Sequence, residues 1–248
     1  MLEADEDPPP GSSQHAWTGW ARKGVAQFHQ PHNFMPGLRL LLEAELPDVQ
    51  DALCRAGASR YDLLNPLPPF VADRSPRSID DKLWTYTARR PVAEWLFATL
   101  LDNESRVTVR RGVRVASLLS GPKAIQDTPD VIGVRTTDHE ESHADLGIDA
   151  TGRQSRGSAW LRDLGATPPY EEHADSGFIY YTRYFSGMEP TRMAPGLTPL
   201  GTISVLTLPG DNGTWSVTLF TAAGDQPLKN LRRDGRRGRS LSAVCGRR

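Results

Sequence analysis

The sequence has little cysteine, no long apolar run and almost no net charge. Cys54 and Cys245 are too few for a disulfide framework or a thiolate metal site. No apolar stretch approaches the length of a membrane span, and the acidic N-terminus is unlike a signal peptide. A net charge of −1 argues against a nucleic-acid-binding protein. These features predict a cytoplasmic protein with no membrane span and no nucleic-acid partner.

The near-zero net charge conceals a basic C-terminus. Residues 229–248 contain eight lysines and arginines but one aspartate, which gives +7; the total of −1 therefore leaves −8 for residues 1–228. This stretch offers little apolar surface to bury, so it is predicted to be a disordered tail. A basic tail can bind nucleic acid, but no other feature of the sequence supports that role.

A glycine-rich G-x-G-x-x-G loop is also missing, although a matching acidic strand end is present. Residues 1–7 resemble the end of a strand with Glu3 at its tip. In dinucleotide-binding folds, a glycine-rich turn precedes the acidic residue that binds ribose by about 20 residues. Only two residues precede Glu3 here. Either the fold is different, or the phosphate-binding βα unit is not part of this sequence.

The first half of the chain is predicted to be largely helical. Leucines at helical spacing over 38–46 predict one helix, and Asp48 is a suitable N-cap for a second helix that ends at Gly57. His29 and His32 could be metal ligands, but a pair three apart in a loop more often serves packing and hydrogen bonding, which is the interpretation we adopt.

A strand near residues 83–86 is predicted to lead directly into another helix. Pro91 suits the first turn of that helix, which places Arg90 at its start. An arginine in this position could clamp a phosphate bidentately, or it could simply pair with Glu94 on the surface. The residue types leave both roles open.

Alternating valines over 107–115 and 131–135 predict an antiparallel meander with a polar turn at 138–143. This turn spells H-E-x-x-H from His139 to His143, the pattern of a zinc site on a helix. Because the motif lies between strands and lacks an apolar helical stripe, no zinc site is predicted. Replacing either histidine by alanine should leave metal content and folding unchanged.

The last part of the sequence is predicted to be a second antiparallel sheet. Its strands cover 178–185, 201–208 and 215–221, and residues 209–213 form a hairpin turn. The first of these strands is rich in aromatic residues. It could line a pocket for a flat apolar substrate, although aromatic residues are common in any strand.

A short run over 144–152 ends in an aspartate followed by a Thr-Gly turn. Leu146 and Ile148 alternate with small or polar neighbours, as in a half-buried strand, and a helix is predicted to follow near Trp160. Such a corner can hold a polar cofactor, with Asp149 accepting hydroxyls and Gly152 allowing close approach of the backbone. Residue types alone equally allow an ordinary turn.

Several of these segments, taken in order, resemble FAD-dependent oxidoreductases of the aromatic hydroxylase type, the class A flavoprotein monooxygenases. The resemblance covers residues 1 to about 228. It is carried by Leu2-Glu3-Ala4-Asp5, Arg22-Lys23-Gly24-Val25-Ala26-Gln27 with His32, Arg90-Pro91 with Glu94, Val113-Arg114-Val115, and Asp149-Ala150-Thr151-Gly152-Arg153-Gln154-Ser155.

The resemblance implies a mixed α/β fold: an incomplete Rossmann-like FAD-binding domain at 1–170 and a partial antiparallel β-sheet substrate domain at 171–228, before the tail at 229–248. It implies that FAD is bound through five residues: Glu3 at the ribose, Arg90 at the phosphates, Val115 at the adenine through its backbone, and Asp149 with Gly152 on the pyridine-nucleotide and pyrophosphate side. The implied reaction is oxidation of a small organic substrate with NAD(P)H and oxygen, most simply hydroxylation.

Two departures from this family affect the expected activity. The glycine-rich loop is absent, and so is the later Gly-Asp motif that meets the flavin ribityl chain; the Gly-Asp pair at 224–225 lacks a following helix start. The chain is therefore expected to be a fragment that purifies colourless. The alternatives are a non-catalytic remnant or interaction module of this fold, a flavin-dependent reductase and a halogenase.

Overall fold

The structure is a computed structural model that describes residues 1–25, 27–122, 125, 128–167, 169–188, 196–227 and 230. It contains two compact units. The first comprises Met1–Pro8 with Leu101–Asp175, and the second comprises Pro9–Leu100 with the described residues from Ser176 onward. Each unit combines helix with antiparallel sheet, which confirms the predicted mixture of the two.

The second unit begins with short helices around one small strand. These elements are α1 (Ser13–Thr18), β1 (Pro31–Asn33), α2 (Pro36–Glu45) and α3 (Pro47–Arg55). The two predicted helices are confirmed, but the predicted N-cap is wrong. Asp48 lies in the first turn of α3 and Leu46 is the N-cap, because Pro47 has a φ suited to the first helical position. Gly57, at φ +84°, follows the end of α3.

The next segment forms the predicted strand and helix around Arg90. Strand β2 (Ser59–Asp62) pairs with β3 (Trp84–Arg89), and β3 is followed without a loop by helix α4 (Arg90–Asp102). Strand β3 lies in the centre of an antiparallel sheet with the order β1-β3-β2. Its side chains from Thr85 to Arg89 are all buried.

Two apolar clusters stabilise this part of the second unit. The larger cluster joins α2, α3 and α4, and its buried members are Leu42, Val49, Ala52, Leu53 and Leu96. The smaller cluster surrounds α1, and its buried members are Ala16, Trp20 and Phe28. Burial of one such leucine contributes about 1.5–3 kcal/mol. The apolar stripe of α2 is only partly covered, since Leu41 remains 56% exposed.

The first unit contains a three-stranded antiparallel sheet in the order β4-β5-β6. Its strands are β4 (Val115–Ser120), β5 (Val131–Thr136) and β6 (Glu141–His143), and helix α5 (Gly157–Asp163) follows in the sequence. The meander is therefore confirmed, but no strand forms over 107–113. There, Leu2 and Arg110 form a single parallel bridge, which leaves too short a ladder for a strand.

The run before Asp149 is not the half-buried strand that its alternating pattern predicts. Residues 144–150 have no strand assignment, and Leu146 and Ile148 are 76% and 82% exposed. A strand needs a hydrogen-bonded neighbour, and in the described chain no strand pairs with this run. Alternation alone could not supply that neighbour. The short helix predicted around Trp160 is confirmed as α5.

The remaining strands of the second unit form a four-stranded antiparallel sheet in the order β7-β10-β9-β8. They are β7 (Phe178–Ser186), β8 (Leu197–Leu200), β9 (Ile203–Pro209) and β10 (Thr214–Ala222). The three predicted strands and their hairpin turn are confirmed. Asn212 and Gly213 have positive φ angles of 51° and 67°, as a tight turn between β9 and β10 requires.

The tip of this hairpin is bound to the end of strand β3 in the same unit by a buried ion pair. Arg89 donates to Asp211 through Nη2 at 2.7 Å, through Nε at 3.0 Å and through its backbone N at 2.8 Å. Asp211 is fully buried and Arg89 is 5% exposed. Trp17 packs on this guanidinium with its ring centroid 4.6 Å away, and also contacts Tyr184.

Three further expectations concern the segment after β10, the C-terminal tail and membrane spans. The Gly-Asp pair at 224–225 is expected to lack a following helix start, and this is wrong, because residues 226 and 227 are helical. The predicted tail at 229–248 lies outside the described residues except for residue 230. Within the described part of the chain, none of the helices has the length and apolar character needed to traverse a lipid bilayer.

Candidate functional site

Arg90 belongs to a compact network of charged side chains at the start of α4. Its Nε donates to Glu94 Oε1 at 2.5 Å, and Arg22 Nη1 donates to Glu94 Oε2 at 3.3 Å. The exposed fractions of the Arg90, Glu94 and Arg22 side chains are 28%, 20% and 20%. One carboxylate thus joins two guanidinium groups, and the cluster carries a net charge of +1.

His32 completes the network, and its hydrogen bonds fix the positions of its protons. Nδ1 lies 3.0 Å from the carbonyl oxygen of Gln30, and Nε2 lies 3.2 Å from Arg90 Nη1. A carbonyl oxygen only accepts and a guanidinium only donates, so Nδ1 carries the hydrogen and Nε2 offers its lone pair. His32 is therefore neutral in this arrangement, as the lowering of its pKa by burial favours.

Arg90 retains donors that the described chain does not use. Of its five N–H groups, one binds Glu94 and one binds His32. The remaining three, on Nη1 and Nη2, have no partner among the described residues. Pairing with Glu94 and binding of a phosphate are therefore compatible roles for Arg90. The ion pair with Glu94 exists, and it leaves guanidinium donors for an anion.

Asp149 forms a local hydrogen-bonded corner in the first unit. Its Oδ1 accepts from the backbone N of Thr151 at 2.9 Å and from Thr151 Oγ1 at 2.6 Å, while Oδ2 accepts from Ser155 Oγ at 2.6 Å. The Ser155 bond, followed by the Thr151 bonds, lowers the Asp149 pKa. The carboxylate is thus ionised and oriented, with further acceptor capacity on Oδ2.

Gly152 lies within this corner in a conformation that favours glycine. Its φ is +69°, and a Cβ at this position would meet no atom of the described residues within 4 Å. Space is therefore open beside its backbone, as close approach of a ligand requires.

The other two predicted cofactor residues also lie in the first unit: Glu3 directly follows the single bridge at Leu2, and Val115 is the first residue of a strand. Glu3 Oε1 accepts from the backbone N of Asp5 at 3.1 Å, and the Glu3 carbonyl accepts from Val113 N at 3.0 Å. Val115 begins β4, which is an edge strand of its sheet. Four predicted site residues thus belong to the first unit, whereas Arg90 belongs to the second.

The H-E-x-x-H sequence is not on a helix. His139 lies in the turn at φ +70°, and His143 lies on β6 opposite Gly133. The two imidazoles therefore lack the i, i+4 helical spacing on which a zinc site of this type depends. Among the described residues, no group of three or more His, Cys, Asp or Glu side chains is placed to hold a metal ion.

Two connections at the candidate site are missed by the sequence analysis. The contact of Arg90 with His32 spans 58 residues and that of Arg22 with Glu94 spans 72, so no local pattern signals either one. The only available hint is the resemblance, which includes the segments containing all four residues.

Comparison with known proteins gives matches among solved structures only. No family model and no curated protein matches the sequence. A variant of PqsL from Pseudomonas aeruginosa superposes with a TM-score of 0.64 at 13% identity, over 98% of this chain and 58% of that one. Another PqsL structure is named a "probable FAD-dependent monooxygenase". It superposes with a TM-score of 0.59 at 11% identity, over 94% of this chain and 54% of that one.

Two further FAD-dependent proteins match with lower TM-scores. A variant of Klebsiella pneumoniae HpxO complexed with FAD gives a TM-score of 0.53 at 19% identity, over 94% of this chain and 54% of that one. The myxobacterial FAD-dependent halogenase CndH also gives a TM-score of 0.53 at 19% identity, over 94% of this chain and 56% of that one. The chain has the fold of FAD-dependent monooxygenases. It spans little more than half the length of these neighbours, one of which, PqsL, has also been crystallised with 2-aminobenzoylacetate.

Proposed function

We propose that the chain is part of an FAD-dependent oxidoreductase, a monooxygenase that uses NAD(P)H and oxygen to hydroxylate a small organic molecule. The supporting observation is the fold, which superposes along almost the whole chain on PqsL and HpxO. Bound FAD would supply the redox chemistry, while the residues of this chain would orient it and neutralise its charge.

The geometry of Arg90 fits the phosphate part of this cofactor. Three guanidinium N–H groups remain available, and Glu94 and His32 hold the side chain from two sides. Planar donors of this kind suit the paired oxygens of a phosphate. The network's net charge of +1 also favours an anion, although Glu94 offsets part of the attraction.

The four residues of the first unit are proposed to bind the rest of the dinucleotide. Glu3 would accept from the ribose hydroxyls, and the Val115 backbone would contact the adenine edge from strand β4. Asp149 would accept a hydroxyl through the remaining capacity of Oδ2, on the pyridine-nucleotide and pyrophosphate side. Open space beside Gly152 would admit the ligand.

The proposed substrate is flat and apolar, because β7 and β10 present an aromatic group on one face of the sheet. Phe178, Tyr180 and Phe220 have ring centroids 5.6–6.4 Å apart, and Phe178 is 47% exposed. Exposed rings at this spacing can stack on a planar ligand. The complex of PqsL with 2-aminobenzoylacetate supplies an example of a small aromatic ligand in this fold.

FAD titration tests the cofactor assignment in two forms of the protein. The 248-residue chain should purify colourless, because each charge-assisted hydrogen bond of a pyrophosphate loop is worth about 1.5–3 kcal/mol and this sequence contains no such loop. A longer protein with a glycine-rich βα unit before Met1 and a Gly-Asp helix after the sheet should be yellow.

Arg90→Ala in the longer protein should lower FAD affinity, and the same substitution at exposed Arg74 serves as the matched control. Tight stoichiometric FAD in the 248 residues would refute the need for the additional unit. A longer protein that stays colourless would refute the flavoprotein assignment and favour a non-catalytic remnant or interaction module.

A flavin-dependent halogenase is the second candidate. CndH matches the chain with the same TM-score and identity as HpxO. Product analysis of the yellow protein with NAD(P)H, oxygen and chloride separates the activities, since only a halogenase adds chlorine and only a hydroxylase adds oxygen. A flavin-dependent reductase would instead consume NAD(P)H and saturate a bond in the substrate.

A further inference from the structure

We propose that His32 is a positioning residue for Arg90 and that it acts only in its neutral form, so that acidification releases the Arg90 guanidinium. This inference rests on the proposed function in one respect, namely that Arg90 binds a phosphate. The positioning itself follows from the contacts of the described chain and can be tested without a ligand.

Two acceptors on different elements determine where the guanidinium lies. Glu94, one turn further along α4, accepts from Nε at 2.5 Å, and His32 on β1 accepts from Nη1 at 3.2 Å. With Glu94 as its only partner, the long Arg90 side chain could still rotate about the hydrogen bond between Nε and the carboxylate. The second acceptor restricts that rotation, and the unused donors of the planar guanidinium are then held in place with it.

The His32 ring is itself held in place by the backbone. Its Nδ1–H donates to the Gln30 carbonyl oxygen, so Nε2 is left as the acceptor that faces Arg90. Thr182 Oγ1 donates to the side-chain Oε1 of the same Gln30 at 2.6 Å. The ring therefore links Arg90 to a loop that is anchored on strand β7.

Protonation of His32 converts this acceptor into a donor. An Nε2–H would face an Arg90 N–H, with two like charges in contact, and the hydrogen bond would be lost. The groups that face His32 are Arg90 and Glu94 from α4 and the Gln30 carbonyl from the preceding loop; Arg22 acts through Glu94.

These surroundings favour the neutral ring at ordinary pH. Burial contributes most to lowering the His32 pKa, and Arg90 lowers it further, while the Gln30 carbonyl and Glu94 act in the opposite direction. The unfolded chain therefore binds this proton at a higher pH than the folded chain does. As pH falls below about 6.5, stability and the Arg90 contact should both decrease.

The test is NMR of the 15N-labelled 248-residue chain between about pH 8 and pH 5. The Arg90 Nε–Hε signal is assigned by its loss in Arg90→Gln. In the wild type, it should shift with the same midpoint as the His32 ring, below about 6.5. His32→Gln keeps an acceptor without a titrating group and should remove the shift, whereas the same change at exposed His173 should preserve it.

A second measurement uses inorganic pyrophosphate as the probe at about pH 8. His32→Gln should bind it within about twofold of the wild type, and His32→Phe, which lacks an acceptor, about tenfold more weakly. Urea unfolding of both variants checks that each is folded before binding is compared.

The outcomes separate the two ideas. An Arg90 signal that shifts identically in His32→Gln, or that stays fixed while the His32 ring titrates, overturns the positioning role. Full pyrophosphate affinity in His32→Phe also overturns it. Unchanged affinity in Arg90→Gln instead overturns the proposed phosphate role, and the ligand-free NMR result then decides the positioning role by itself.

Discussion

Asp211 combines complete burial with a negative charge, and Arg89 supplies the compensating positive charge. Removing both charges from water costs several kcal/mol per ion, so the pair adds little net stability compared with apolar residues. Removal of one partner strongly lowers stability, because the other charge then stays buried without compensation. The hydrogen bonds that Arg89 makes to Asp211 therefore serve mainly to compensate the buried charge of Arg89.

Asp211→Ala should accordingly lower the free energy of unfolding by about 3–5 kcal/mol, measured in urea. The matched control is Asp73→Ala, since Asp73 pairs with Arg77 at 3.0 Å but both side chains are more than half exposed. Removal of that pair should change stability by less than about 1 kcal/mol. Equal effects at the two positions would show that burial of the Arg89 pair carries no special cost.

Ser155 stabilises the charged form of Asp149 through a hydrogen bond within the same turn. Its hydroxyl makes the largest contribution to the lowered Asp149 pKa. Stability from this bond is present at neutral pH and is lost as pH falls through the folded-state pKa. Ser155→Ala should raise that pKa toward its ordinary value, measured by 13C NMR of the carboxylate. Ser105→Ala, on another exposed loop, should leave it unchanged.

At the scale of elements, the turn after α3 and the β9–β10 hairpin fit together through Gly57. A Cβ on this residue would lie 2.3 Å from Asn212 Oδ1, and its φ of +84° is unfavourable for any other residue. The Asn212 backbone N donates to the Gly57 carbonyl oxygen at 3.0 Å, so the two turns cannot simply move apart.

Gly57→Ala should therefore destabilise the protein by more than about 1 kcal/mol in urea unfolding. Gly37→Ala, in helix α2, provides the comparison, because its added Cβ would meet no atom within 4 Å in the part of the chain that the structure describes, and alanine favours a helix. That variant should be as stable as the wild type or slightly more so. A Gly57→Ala protein of unchanged stability would mean that Asn212 moves away at little cost.

The run over 144–150 gives a second test at this scale. With no neighbouring strand among the described elements and with Leu146 and Ile148 exposed, the backbone amides of residues 145–150 should exchange with solvent rapidly. Amides of β10, which is paired on both sides, should be protected. Strong protection at residues 145–150 would show that a strand forms there after all.

For the whole molecule, the sequence predicts elements better than it predicts which elements meet. Helices α2 to α4 follow from leucine spacing and Pro91, and β7, β9 and β10 follow from long apolar strands around a Gly-containing turn. The four-residue β8 is too short to leave a clear pattern. The run at Leu146 alternates correctly but lacks a partner, which only tertiary structure can reveal.

The same distinction applies to the candidate site. Arg90 could be placed at a helix start because Pro91 marks that position, and the resemblance names it as a phosphate ligand. Its contact with His32 depends on β1 pairing with β3, a long-range event without a local signal. The buried partner of Arg89 is 122 residues away, so it also could not be inferred from spacing.

This separation has a consequence for synthesis on the ribosome. Asp211 leaves the ribosome roughly 6–24 s after Arg89, at about 5–20 residues per second. Throughout that interval, Arg89 at the end of β3 has no buried partner for its charge. Trp17 lacks its final neighbour Tyr184 for the first part of the interval, until residue 184 has also been synthesised. A pause in translation before the β9–β10 hairpin would prolong the time during which chaperones can bind the nascent chain.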